Sequence, residues 1–326
     1  MTEPQTKNHP ALGPPLLGKE GSLLILIIVT LMLLGGCSKQ MGSASNAVSE
    51  QNNSRRSATR VVTDDLGRKV TVPVRITRVV STAPSVTENI FAVGAGDRLV
   101  GVTTFCNYPE EAKSIAKVGD TMNPNMETIV ALKPDVVLVS SASQLENFTK
   151  VLEQNGIAVY VTNPTSLQGV FKNLKELGDL LGTREQAEKL VGDLVVRTLT
   201  ESPSLPPKNN RVFIQISKEP LFTIGKDSFL NEVVGAAGGE SVTEGVATAY
   251  PKLSKETASG LNPDVIILSD SPDNQEPNEA FRNSPAVKNG RVYKINADII
   301  SRPGPRLVDA LEEIARDLHP EKFANK

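Results

Sequence analysis

Apolar residues fall into short dense runs separated by stretches with helical spacing. Arg78 to Ser81, Arg98 to Thr103, Asp135 to Ser140 and Ala158 to Thr162 read as buried strands, with helical stretches such as Val86 to Val93 and Glu127 to Leu132 among them. Ser85 followed by Glu88 has the spacing of a capping box for the first of these helices. The alternation returns at Arg211 to Ile216, Asp264 to Leu268 and Arg291 to Ile295. Two α/β units are predicted rather than one.

Between the units the period is helical. Thr183 and Gln186 form a second capping-box pattern, and Ala187, Leu190, Val191, Leu194 and Val195 make one apolar stripe. This predicts a continuous helix of about five turns running to Thr200. Such a connector is stiff and permits only small hinge motion.

An internal repeat supports the two-unit reading. Glu127-Thr128, followed by Leu132, Pro134, Asp135 and Val136, is matched at constant offset by Glu256-Thr257, Leu261, Pro263, Asp264 and Val265. Each copy reads as helix start, short helix, Pro-Asp turn and buried strand, so one supersecondary unit occurs once per lobe. Gly94-Ala95-Gly96-Asp97 and Ala237-Gly238-Gly239-Glu240 form a weaker echo.

The N-terminal segment has a different pattern. Leu23 to Leu34 is apolar except for Thr30, and Gly35, Gly36 and Cys37 follow. A run of that length falls short of the about 20 residues a bilayer span needs. It has the length of a signal-peptide core, and Leu34-Gly35-Gly36-Cys37 resembles the lipobox at which bacterial lipoproteins are cleaved and acylated on cysteine. The alternative for the same residues is a buried helix ending at an inert cysteine. The stretch before it, Met1 to Gly21, departs from a typical signal peptide: it is long and Pro-rich, with only Lys7 and Lys19 as cations. From Cys37 to Ser57 the chain is rich in Ser, Asn, Gln and Gly without apolar period, which reads as a flexible leash. The expected organisation is a signal peptide at 1–36, a lipid-anchored linker at 37–58, an N-terminal α/β lobe at 59–165, a connecting helical segment at 166–203 and a C-terminal α/β lobe at 204–326.

Charge is nearly balanced, with 35 Lys and Arg against 37 Asp and Glu, so neither nucleic acid nor an anionic surface is indicated as partner. With Cys37 assigned to lipid, Cys106 is left alone, without an intramolecular partner, and is expected to be buried rather than reactive. His9 is lost with the signal peptide and His319 stands in the C-terminal tail. That excludes a His-rich zinc or manganese site, and a Ser-His-Asp triad unless His319 serves it. Gly225-Lys226-Asp227-Ser228 lacks the upstream glycine of a phosphate loop and no Gly-x-Ser-x-Gly occurs, so an enzyme is not expected.

From Thr63 to about Pro320 the chain resembles the substrate-binding proteins of ABC importers for cobalamin, haem and ferric siderophores. The resemblance is carried by Thr63-Asp64-Asp65-Leu66-Gly67-Arg68, by Arg78-Val79-Val80-Ser81-Thr82-Ala83-Pro84-Ser85, by Ile129-Val130-Ala131-Leu132-Lys133-Pro134-Asp135 and by Ser301-Arg302-Pro303-Gly304-Pro305-Arg306. It implies two Rossmann-like α/β lobes joined by a single long backbone helix, with the ligand cleft between them. Cobalamin or a related corrinoid is the implied ligand, with haem or a ferric siderophore as alternatives and no resident cofactor or metal.

By the same resemblance Tyr108 contacts the ligand from the N-terminal lobe, Phe222 and Tyr250 from the C-terminal lobe, and Asp298 and Arg302 at its amide-bearing rim. Tyr250 stands where a tryptophan is usual, and Gly119-Asp120-Thr121-Met122 where another bulky aromatic is expected; the chain has no tryptophan. Tyr and Phe rings with Asp and Arg suit a large planar amphipathic ligand, but each aromatic residue alone also fits an ordinary core position. Arg302 and Arg306 could equally be solvated charges flanking a helix at Leu307 to Leu318. The Pro-Gly-Pro between them instead places an irregular loop after a strand, where α/β lobes carry ligand groups. Glu127 and Glu256 are each explained by the helix macrodipole, while the resemblance makes them the pair that docks on arginines of the dimeric permease. The implied partners are that ABC permease with its ATPase, a small-molecule ligand, and the membrane through the Cys37 anchor. The protein is expected to be extracytoplasmic and monomeric. A sensor or scavenger that serves no transporter would use the same cleft.

Overall fold

The computed structural model describes residues 58–141, 146–201 and 210–324. Cys37, the apolar run before it and most of the leash lie outside them. In the N-terminal lobe β1 (Thr59–Thr63) and β2 (Lys69–Pro73) form an antiparallel hairpin. They are followed by β3 (Val79–Ser81), α1 (Pro84–Ala92), β4 (Leu99–Val102), α2 (Met126–Ala131), β5 (Val136–Ser140), α3 (Glu146–Gln154) and β6 (Ala158–Thr162). The parallel strands lie in the order β4-β3-β5-β6. Helices α4 (Leu167–Leu181) and α5 (Arg184–Glu201) come next. The C-terminal lobe holds β7 (Asn210–Ser217), β8 (Phe222–Thr223), α6 (Leu230–Ala236), β9 (Gly239–Ser241), α7 (Lys255–Leu261), β10 (Val265–Asp270), α8 (Pro285–Lys288), β11 (Val292–Asn296), α9 (Ala297–Ser301), α10 (Leu307–Leu318) and α11 (Pro320–Phe323).

Strand β7 pairs in parallel with β10 and β9, and β10 with β11, while β8 lies antiparallel along the end of β7. The parallel order β9-β7-β10-β11 therefore repeats β4-β3-β5-β6. The repeat extends to single hydrogen bonds. Asn125 caps α2 by accepting from Thr128 N at 2.9 Å, and Ser254 caps α7 by accepting from Thr257 N at 3.1 Å. Arg78 and Arg211 each donate at 2.7 Å to a carbonyl at the helix end, Leu132 O just past α2 and Leu261 O at the end of α7. The next residues, Lys133 and Asn262, both turn the chain at φ 47°. The echo between the glycine segments is shifted by one residue from its sequence alignment, because the left-handed positions after α1 and α6 are Gly94 and Gly238.

The central parallel strands β3, β5, β7 and β10 are buried over most of their length, whereas β9 and β11 are partly exposed, and the pleat sends alternate residues of the central strands to different cores. Val80, Val137 and Val139 pack with Ile129 of α2 and Leu152 of α3; Phe213, Ile266 and Leu268 pack with Ala258 of α7, Phe281 and Ala286 of α8. The opposite faces behave differently. Val79, Val136 and Leu138 belong to the same apolar cluster as Val212, Ile214, Val265 and Ile267, linked through α4, α5 and α10. The lobes thus share one core.

Helix α5 has the span and the buried stripe that its spacing predicts, with Ala187, Val191 and Leu194 inside. Its first half lies so close to α4 that a Cβ on Gly178 would collide with Ala187, and its second half ion-pairs through Arg197 to Asp309 at 2.7 Å and Glu312 at 2.8 Å on α10. Two local expectations fail. The hydroxyl of Thr183 is buried without a hydrogen-bond partner, so no capping box closes at the start of α5. Ser85 and Glu88 form none either: Pro84 opens α1 one residue before Ser85, with Ala83 at the cap. Glu88 then lies beyond the third helical position, too far along the helix to reach back to the cap.

Candidate functional site

Glu88 instead points across to the other lobe. It is 4% exposed, and its carboxylate accepts from Arg302 Nη1 at 2.7 Å, Arg306 Nε at 2.8 Å and Arg306 Nη2 at 2.6 Å. Arg302 also donates to Asn107 Oδ1 at 2.7 Å and Asp298 Oδ1 at 2.6 Å, and Asn107 Nδ2 donates to Asp298 Oδ2 at 2.9 Å. Both arginines are therefore held by the protein rather than by water, which overturns the solvated-charge alternative. Two guanidiniums face two carboxylates, and a pairing this complete is what offsets the desolvation of buried charge.

The backbone on either side explains why these groups meet. Asn107 and Tyr108 follow β4 at the C-terminal end of the N-lobe sheet, where parallel α/β layers collect ligand groups. Asp298 lies in the first turn of α9, which Asn296 caps. Arg302, Pro303, Gly304 and Arg306 form the bend into α10. Asn89 donates to Pro303 O at 3.1 Å, and any Cβ at position 304 would stand 2.6 Å from Asn89 Oδ1, so a larger residue here would have to displace the Asn89 side chain. Tyr108 is 48% exposed, and the Arg306 guanidinium carbon sits 4.2 Å from its ring centroid, in cation–π range.

Of the residues singled out in the sequence, the structure joins Tyr108, Asp298 and Arg302 in this cluster. Phe222 and Tyr250 sit together elsewhere on the C-terminal lobe: Phe222 pairs with Lys252, and Thr223 N donates to Pro251 O at 3.1 Å. Tyr250 projects from a loop that includes Thr248 at φ 72°, a strained conformation for a β-branched residue. Burial raises the Tyr250 hydroxyl above its ordinary range, with hydrogen bonding to Ser228 opposing the shift. A cavity of about 1310 Å³ opens near Lys226, Asp227, Glu232 and Glu240, and none of the five residues lines it. Glu127 and Glu256 are exposed at the equivalent second positions of α2 and α7. The Glu256 carboxyl is held below its usual range by its own backbone N–H and then by Ser254.

Cys106 is buried as expected, its sulfur 3.1 Å from the hydroxyls of Thr87 and Thr103. His319 is buried at the end of α10 with Nε2 unpartnered. Sequence reasoning missed Glu88, Asn89 and Asn107. The signal available was Glu88 itself, the one charged residue of α1, with no cation on that helix to pair it.

Residues 79–299 match the periplasmic binding protein family. The chain belongs to that family. Its members are non-enzymatic, extracytoplasmic components that work with the permease and ATPase of ABC transporters. This periplasmic binding protein is 31% identical to an uncharacterized ABC transporter substrate-binding lipoprotein, YvrC, of Bacillus subtilis, over 94% of this chain and 99% of the relative. It is 30% identical to a vitamin B12-binding protein of Vibrio parahaemolyticus, over 76% of this chain and 91% of that one. The crystal structure of the periplasmic vitamin B12-binding protein of Vibrio cholerae superposes with a TM-score of 0.64 at 28% identity, covering 77% of this chain and 98% of that one. The periplasmic binding protein described here is thus an ABC transporter substrate-binding protein of the cobalamin, haem and siderophore group.

Proposed function

We propose that the protein captures cobalamin or a related corrinoid between its lobes and delivers it to an ABC permease. The observation that carries this reading is the charge state of the cluster joining the lobes. Arg302 is already paired with Glu88 and Asp298, and Arg306 with Glu88, so the cluster offers hydrogen-bonding groups and an exposed Tyr108 ring without a spare cation among its own residues. A ligand rimmed by neutral amides suits that surface better than haem carboxylates or an anionic siderophore, which need an unpaired positive partner. Relatives named vitamin B12-binding proteins support the same choice. Tyr108, Phe222 and Tyr250 supply apolar area, Asp298 and Arg302 meet the polar rim, and Glu127 and Glu256 dock on the permease. The lipid carried by Cys37 holds the folded part at the membrane, an assignment checked by the intact mass of membrane-extracted protein.

The test is titration of the purified protein with cyanocobalamin, haemin and a ferric catecholate, followed by absorption and calorimetry. Cyanocobalamin should bind one to one and at least about tenfold more tightly than the other two. Tyr108→Ala and Arg302→Ala should each weaken it by about 1 to 3 kcal/mol, through a lost ring contact or polar groups left unpaired. Binding of haemin or the siderophore alone would refute the corrinoid assignment.

A further inference from the structure

We propose that Glu88 is the residue that sets ligand selectivity by charge: by neutralising two arginines at the floor of the interlobe seam, it makes the site reject anionic ligands. The inference rests on the proposed cleft as the ligand site. Glu88 stands on α1 at 4% exposure, so it presents almost no surface of its own. Its three hydrogen bonds all go to guanidiniums of the opposite lobe, and both of its oxygens are engaged. Arg306 in turn lies against the exposed ring of Tyr108. Glu88 is therefore a positioning and charge-setting residue behind the ligand surface. Without its charge, two guanidiniums would face one remaining carboxylate, Asp298, and the seam would carry a net positive charge in a water-poor setting, where such a charge attracts anions strongly. Specificity here comes from withholding a favourable partner from the wrong ligand, a form of discrimination against competitors.

The experiment compares wild type with Glu88→Gln, which keeps shape and removes charge. The probes are haemin, with two free carboxylates, and its uncharged dimethyl ester, in low and high salt. Haemin should bind the variant at least about tenfold more tightly than wild type, corresponding to about 1.4 kcal/mol, and that gain should shrink in high salt. The ester should change by less than about threefold, which a general loosening of the lobes would not produce. An unchanged haemin affinity in a folded variant, or an equal gain for the ester, would overturn the proposal. Asp298→Asn makes the same change of charge at a less buried position, and decides by the same criteria if Glu88→Gln fails to fold. Failure of wild type to bind any corrinoid refutes the proposed ligand instead, and leaves the haemin comparison intact as the reading of Glu88.

Discussion

Asp317, half-buried near the end of α10, has its carboxyl pushed up to about 6, first by burial and then by the neighbouring Glu313, with Arg316 pulling the other way. A carboxyl whose folded value exceeds its unfolded one is better tolerated protonated, so its charge lowers stability as pH rises from about 4 through about 6. Asp317→Asn should therefore stabilise the protein by about 1 kcal/mol at pH 7.5, after allowance for its partial exposure. The gain should vanish near pH 4, and urea unfolding at both pH values would read it. Legibility at this scale was uneven. Tyr108, Asp298 and Arg302 could be named only through the family resemblance of the segments around them, since Asp298 and Arg302 lie in and just after the short helix α9, where no local pattern marks a ligand group. Glu88 was misread because its spacing from Ser85 satisfies a local rule that Pro84 had already displaced by opening the helix early. Its true partners are 214 and 218 residues away, a separation no local pattern reports.

Helices α2 and α7 show what the repeat accomplishes. Cap, acid, arginine clamp and left-handed exit recur in both, so Glu127 and Glu256 stand on scaffolds with the same internal geometry. Replacing both by arginine should leave corrinoid affinity near that of wild type and sharply reduce transporter-stimulated ATP hydrolysis in reconstituted membranes, since charge complementarity governs docking. Each single change should have a smaller effect. A folded double variant that binds ligand and still supports normal hydrolysis would reduce the pair to helix-start residues. The central parallel strands were legible because burial writes them as dense apolar runs, while the parallel β9, Gly239-Glu240-Ser241, has no such run and was not expected. The β1–β2 hairpin was not: β1 alternates only between exposed and half-buried positions, and β8 is two residues long, too short for a period to show.

At the scale of the molecule, the sequence suggested two bodies held by a rod. The interior is different, because Val79 of one sheet and Val212 of the other belong to one apolar cluster that runs through α4, α5 and α10. Topology counts two lobes, each with an outer apolar cluster of its own, while the inner cluster belongs to both. Melting should accordingly be a single event: a calorimetric scan of ligand-free protein should give one peak with van 't Hoff and calorimetric enthalpies in agreement, and two resolved peaks would contradict this. Either half expressed alone would present the face it now hides, a wide apolar patch of the sort that drives aggregation. A chain cut within 202–209 should therefore keep its fold only while both pieces stay together, and either piece made alone is expected to be cleared as misfolded protein.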